Sequence, residues 1–228
     1  VPLLSYGGEV KCWTWERHEP NAYHVHALRG AISFGSTPQG GVDSVLHVKV
    51  MRHENYSPLL NGAPRAEIAL VSHRIKSARH YHITIRTLLP ASSHLDYSGP
   101  EILWQVHQGP NEGSPPVALV LDRGSYYLDV RGPAGTRSAY AYISKGIDDV
   151  DRWVDWSISY RPSDDPSRAS LELTKDGKVM TKISNVANAY SDDSMAYLKI
   201  GIYKWTWGLE SPSQREAFFG PVCIQELG

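Results

Sequence analysis

Three short segments carry side chains whose types and spacing could move a proton beside a carboxylate. As an extended strand, Tyr197-Leu198-Lys199-Ile200-Gly201-Ile202-Tyr203 puts Leu198, Ile200 and Ile202 on one face and Tyr197, Lys199, Gly201 and Tyr203 on the other. Gly201 leaves a gap on the polar face where a ligand could approach. Leu103-Trp104-Gln105-Val106-His107 pairs Gln105 with His107 opposite Trp104 and Val106, and Arg65-Ala66-Glu67-Ile68-Ala69-Leu70 sets Arg65 and Glu67 opposite Ala66, Ile68 and Leu70. The proton at C5 of a uronic acid is weakly acidic, so donors such as Arg or Gln must neutralise the neighbouring carboxylate before a base can take it. His and Tyr then serve as base and acid, and Lys199, on the same face as Tyr203, would support that tyrosine as the base.

Those strands need a scaffold, and the rest of the chain reads as one. Seven Trp and thirteen Tyr against three Phe lie mostly in runs that alternate apolar and polar residues, the period of half-buried strands. Such runs are Val45 to Val50, His80 to Leu88, Val117 to Leu121, Tyr126 to Arg131, Trp153 to Tyr160, Ser170 to Thr174 and Ala196 to Tyr203. Turn signals separate them: Thr37-Pro38-Gln39-Gly40-Gly41, Gly132-Pro133-Ala134-Gly135, Arg161 to Pro166, and Asp176-Gly177 placed as a hairpin turn. Many strands without intervening helices predict an all-β protein, a jelly-roll sandwich of two antiparallel sheets with a concave groove. No linker or repeat divides residues 1–228, so one domain is expected.

A formal charge of −1 excludes the basic field of a nucleic-acid binder, so an acidic polysaccharide partner must be held by local basic residues. No apolar run approaches a membrane span, and VPLLSYGGEV lacks the pattern of a leader, which gives the expectation of a secreted, already processed protein acting as a monomer away from membranes. The two cysteines, Cys12 and Cys223, fall in the first and last expected strands and suit a disulfide clamping them, which would fit an oxidising compartment; two buried thiols are the alternative.

The three segments resemble the RxE, QxH and YxKxGxY signatures of jelly-roll polysaccharide lyases, a group that includes alginate lyases, heparin lyase I and fungal glucuronan lyases. Arg152-Trp153-Val154-Asp155-Trp156 and Lys175-Asp176-Gly177-Lys178 resemble further strand and hairpin motifs of that group, so the ordered matches run from Arg65 to Tyr203. The resemblance implies that Arg65 and Gln105 bind the substrate carboxylate, that His107 and Tyr203 handle protons with Lys199 in support, and that Tyr197, Glu67, His53 and Trp205 contact substrate. It implies no cofactor for the chemistry; a structural calcium is an expectation of the resemblance alone. Ile68-Ala69 and Lys204-Trp205 depart from the alginate-lyase pattern and turn the reading toward glucuronan and heparin lyases. In glucuronate or mannuronate the C5 proton and O4 lie on one side, so Tyr203 alone could serve as base then acid; in guluronate or iduronate His107 would be the base. The near-neutral charge favours β-1,4-glucuronan over a sulfated polymer.

His24 with His26, and His80 with His82, share strand faces and could begin a metal site, but no third ligand has an evident spacing. The acidic run Asp148-Asp149-Val150-Asp151 lacks the ligand series of an EF-hand loop. Trp13 and Trp15, like Trp205 and Trp207, alternate and could stack on sugar rings or fill the core. A non-catalytic carbohydrate-binding module would use the same scaffold without the proton-transfer pair. A glycoside hydrolase would need paired carboxylates flanking the bond, and no strand shows closely alternating Glu and Asp.

Overall fold

A computed structural model describes residues 8–15, 22–37, 44–109 and 113–227 of the 228. Among these, sixteen strands form two antiparallel sheets, joined by turns and four short 3₁₀ segments. The first sheet runs in the order β10 (Arg137–Lys145), β9 (Ser125–Arg131), β8 (Val117–Asp122), β7 (Glu101–His107), β14 (Tyr197–Tyr203), β5 (Arg65–Ala69) and β2 (His24–Ala27). The second runs β13 (Lys178–Ser184), β12 (Ser170–Lys175), β11 (Trp153–Arg161), β6 (His80–Leu88), β15 (Gln214–Phe219), β4 (Val45–Met51) and β3 (Ile32–Gly35). β16 (Val222–Leu227) also pairs with β6, and β1 (Val10–Trp13) pairs with β16. The expected β-sandwich is therefore the observed one.

Alternation explains the core. Ile68 on β5, Leu198 and Ile200 on β14, Val106 on β7 and Leu128 on β9 meet Ile83 and Ile85 of β6 and Ile158 of β11 in one apolar cluster between the sheets. Because side chains alternate across a strand, burying those faces forces Arg65, Glu67, Gln105, Lys199 and Tyr203 onto the outer face of the seven-stranded sheet. The segments resembling lyase motifs outside that face serve the fold: Trp156 fills the core and donates its indole N–H to Thr87 Oγ1 at 2.9 Å, while Arg152 pairs with Asp176 at 2.8 Å. Asp176 and Gly177 both have positive φ, the requirement of the two-residue hairpin turn that joins β12 to β13.

The structure decides between the two readings left open for the paired tryptophans. Trp13 and Trp15 lie in the core and offer no sugar platform. Trp205 and Trp207 follow β14 outside any strand; Trp205 is exposed, whereas Trp207 packs against the core. The turn signal at 37–41 falls largely outside the described residues.

The ends of the sandwich are pinned in ways that position the site. Cys12 and Cys223 sit opposite each other in the β1–β16 pair and form a disulfide. Arg215 of β15, fully buried, crosses to Glu101 of β7 with Nη2–Oε1 at 2.7 Å, and Lys204, equally buried, pairs with Asp96 at 2.7 Å. Since buried charges persist only when paired, the Arg215–Glu101 bridge ties the two sheets together, and the Lys204–Asp96 pair fixes the chain directly after Tyr203.

Candidate active site

Register brings the three polar segments side by side. In the β14–β5 pair Gly201 faces Glu67 and Tyr203 faces Arg65; in the β14–β7 pair Lys199 faces Gln105 and Tyr197 faces His107. Gly201 permits this closeness. Its φ is +129°, and a Cβ there would lie 2.1 Å from the Ala66 carbonyl oxygen. The gap anticipated for a ligand is thus occupied by the backbone of β5 itself.

Glu67 is the hub. Its Oε1 accepts from Gln105 Nε2 at 2.6 Å, its Oε2 accepts from Lys199 Nζ at 2.9 Å, and Arg65 Nη1 stands 3.9 Å from Oε2. Arg65, Glu67, Gln105 and Lys199 are all buried. Burial opposes the Glu67 charge more than any other influence, but Lys199, Arg65 and the Gln105 hydrogen bond together outweigh it and hold the carboxyl below its ordinary range. Glu67 therefore positions donors. This corrects its expected role as a substrate contact, since both its oxygens are committed.

Aromatic rings wall this floor. Arg65 donates through Nε to the Ala63 carbonyl and through Nη2 to the Leu60 carbonyl, and its guanidinium lies 4.5 Å from the centre of the Tyr203 ring. The cation against Tyr203 is therefore Arg65, not Lys199 as expected, because Lys199 is spent on Glu67. Trp205 tilts against Tyr203 at 5.4 Å. At the other end of β14, Tyr197 stacks on His107 at 5.3 Å and receives Arg74 on its ring at 5.4 Å.

His107 Nδ1 donates to the Gln108 carbonyl at 2.7 Å, which leaves Nε2 with its lone pair. Burial, reinforced by Lys199, lowers its pKa and keeps the ring neutral near neutral pH. With Nδ1 donating to the Gln108 carbonyl, Nε2 is the ring atom placed to act as a base or as a hydroxyl acceptor.

A further histidine joins the cluster. His26 of β2 faces Glu67 across the β2–β5 pair, and its pKa falls to about 4, chiefly through burial and then through Lys199. The alternation of His24 and His26 was legible as a possible metal pair; packing against β5 turns it instead into one neutral ring beside Glu67. Among the described residues no group of three or more His, Cys, Asp or Glu side chains is arranged to hold a metal ion. The acidic run is committed to protein cations: Asp149 takes Lys175 at 2.5 Å together with Arg152, and Asp151 Oδ1 accepts from the Ala91 amide. His53 is exposed in the turn after β4, in the other sheet, and among the described residues makes no hydrogen bond or ring contact with the cluster.

Arg65 and Lys199 against Glu67 leave one net positive charge, set in a buried floor and walled by imidazole and phenol rings. A polar cluster of this kind on the outer face of a two-sheet β-sandwich is the frame of a carbohydrate-active β-jelly roll. The chain belongs to the polysaccharide lyase family, whose model matches residues 12–222. Among solved structures it is similar to an endo-β-1,4-glucuronan lyase from the fungus Trichoderma reesei, at 15% identity and a TM-score of 0.71 over 93% of this chain and 94% of that one. It is also similar to the family 7 alginate lyase A1-II′, at 13% identity and 0.59 over 85% and 83%, and to a β-1,3-1,4-glucanase from a mouse hindgut metagenome, at 10% identity and 0.59 over 94% and 98%. At these identities the likeness concerns the fold. No curated protein sequence matches the chain.

Proposed function

We propose that this lyase cleaves chains of β-1,4-linked glucuronate, with glucuronan as the first polymer to test, by β-elimination at Tyr203. The observation that carries the reading is the Glu67-centred cluster, with one net positive charge and Arg65 stacked on Tyr203. In this reading Arg65 and the remaining amide hydrogen of Gln105 face the substrate carboxylate and favour the enolate-like charge that develops as C5 loses its proton. Tyr203, as phenolate, takes the C5 proton; the C5 electron pair forms the C4=C5 bond, the C4–O4 bond breaks, and Tyr203 returns the proton to O4. The products are a new reducing end and an unsaturated uronate.

One group serves both steps only when the C5 proton and O4 share a side, as they do in glucuronate and mannuronate. The register supports this assignment, since His107 lies opposite Tyr197, six residues along β14 from Tyr203. The unprotonated His107 Nε2 favours a second reading, in which His107 is the base and Tyr203 the acid on a C5-epimeric uronate. The Cys12–Cys223 disulfide supports action outside the cytoplasm.

The test is ultraviolet absorbance of the conjugated C4=C5 bond during incubation with glucuronan, mannuronate-rich alginate, guluronate-rich alginate and heparin, each with the native chain, Tyr203→Phe and His107→Asn. The proposal expects product from glucuronan, loss of about 10²–10⁴-fold in Tyr203→Phe, and a smaller loss in His107→Asn. Product from guluronate-rich alginate alone, lost equally in both variants, would establish the second reading. Binding without product from any polymer would leave a carbohydrate-binding module.

A further inference from the structure

Beyond Tyr203 the groove continues over β7 to β10 as a cleft of about 450 Å³, within the size range of small-ligand sites. Its floor is apolar: Ile102 of β7 and Val120 of β8 are buried in a small cluster against which Tyr203 packs. Trp205, exposed, stands on the wall beside Tyr203. The far wall is polar and rigid. Asp129 of β9 receives Arg137 through Nε at 2.9 Å and Nη2 at 3.2 Å, and Arg131 through Nε at 3.1 Å and Nη2 at 2.9 Å. Arg131 Nη1 is spent on the Gly135 carbonyl, and Arg137 lies 4.6 Å over the Tyr140 ring. The fourth charge lining the cleft, Asp122, is half-buried and has no ion pair among the described residues.

Charge separates this cleft from the cluster at Glu67. Arg131 and Arg137 are cancelled by Asp122 and Asp129, so no net positive charge remains for a second carboxylate. What the cleft does offer suits sugar hydroxyls: planar donors and acceptors held in a fixed fork, a phenol hydroxyl, an apolar floor and an indole face. The Tyr140 hydroxyl keeps its proton, its pKa pushed up to about 12 by burial and then by Asp122 and Asp129.

Position follows from the chemistry. Tyr203 must reach both the C5 proton and the leaving O4, so the uronate lies on one flank of its ring and the sugar attached through O4 on the other. Arg65, which faces the carboxylate, flanks Tyr203 from β5; the cleft opens from the β7 flank. We propose that this cleft is the leaving-group subsite and that it takes an uncharged sugar ring. The inference rests on the lyase reading above and refines its substrate: glucuronan is cleaved, but less well than a chain in which a neutral ring precedes the attacked uronate.

The experiment uses glucuronan whose carboxyls have been partly reduced, giving a copolymer of glucuronate and glucose. After limited digestion with the full chain, the new reducing ends are labelled and identified by mass spectrometry. Glucose is expected there at several times its abundance in the polymer. Asp122→Asn, which leaves the cleft one positive charge, should shift the new ends toward glucuronate several-fold; Arg137→Gln, which leaves it one negative charge, should shift them further toward glucose. New ends that mirror the polymer composition, or that favour glucuronate in the native chain, overturn the proposal, as do variants that fail to shift in opposite directions. Absence of unsaturated product from both glucuronan and the copolymer would instead sink the lyase reading, and the subsite with it.

Discussion

Replacing Glu67 with glutamine tests the charge balance of the site most directly. The wild-type carboxylate is 2% exposed and holds Lys199 Nζ at 2.9 Å and Gln105 Nε2 at 2.6 Å. A glutamine fills the same space and can still accept from Gln105, but it strands the ammonium of Lys199, itself 2% exposed, without a counter-ion. Removing one partner of a buried ion pair costs about 3–5 kcal/mol, because the surviving charge stays out of water unpaired. At about 2–4 °C per kcal/mol for a domain of this size, the melting temperature falls by about 6–20 °C. Since Gln105 and Arg65 lose a fixed anchor, kcat/KM on glucuronan drops by about 10²-fold, the scale of a small misplacement of catalytic groups. Adding Lys199→Met removes the stranded charge at similar volume, so the double variant regains stability to within about 1 kcal/mol of the native chain while its activity stays low. Calorimetry and the ultraviolet assay on the four corners of this double-mutant cycle decide it. A Glu67→Gln protein as stable as the native one, or a double variant no more stable than the single, would refute the hub assignment.

Gly201→Ala should destabilise by about 2 kcal/mol or more, because φ is +129° and the added Cβ would meet the Ala66 carbonyl at 2.1 Å; an unchanged melting temperature would show that β5 and β14 can part at no cost. Stability should decline as pH falls from 6.5 toward about 4, since the folded chain keeps His26 neutral where the unfolded chain takes up a proton. Denaturant titrations across that window should give a shallower slope for His26→Asn, and identical slopes would remove His26 from the buried cluster. Below that range Glu67, whose folded pKa is depressed, adds a second acid-side loss. Reducing Cys12–Cys223, which closes a separation of 211 residues, should cost about 2–5 kcal/mol and leave kcat/KM of the folded enzyme unchanged; a melting temperature indifferent to reductant would contradict this.

Much of the scaffold was legible because period-two alternation is a local signal. The run from His80 to Leu88 coincides with β6 as observed, and the segments at 65, 103 and 197 reveal their polar faces because each apolar face has to be buried. Short strands are harder: β2 spans four residues, too few for alternation to stand out, so nothing in the sequence ties His26 to Glu67. Asp129 and Arg131 alternate inside a run already recognised as a strand, a signal that could have marked the cleft. Their meaning depends on Arg137, which arrives from the neighbouring strand β10.

By itself the sequence determined which side chains share a face, which residue types face outward, and hence the class of chemistry, because strand geometry dictates these from one residue to the next. Only the tertiary structure decided who partners whom. The register of β14 against β5 set Arg65 rather than Lys199 on Tyr203. The same packing made Glu67 a buried hub and left His53 on the exposed turn after β4. The physical reason is that ionic pairing and burial depend on distances between strands far apart in the chain, and those distances exist only once the two sheets have closed on their common core.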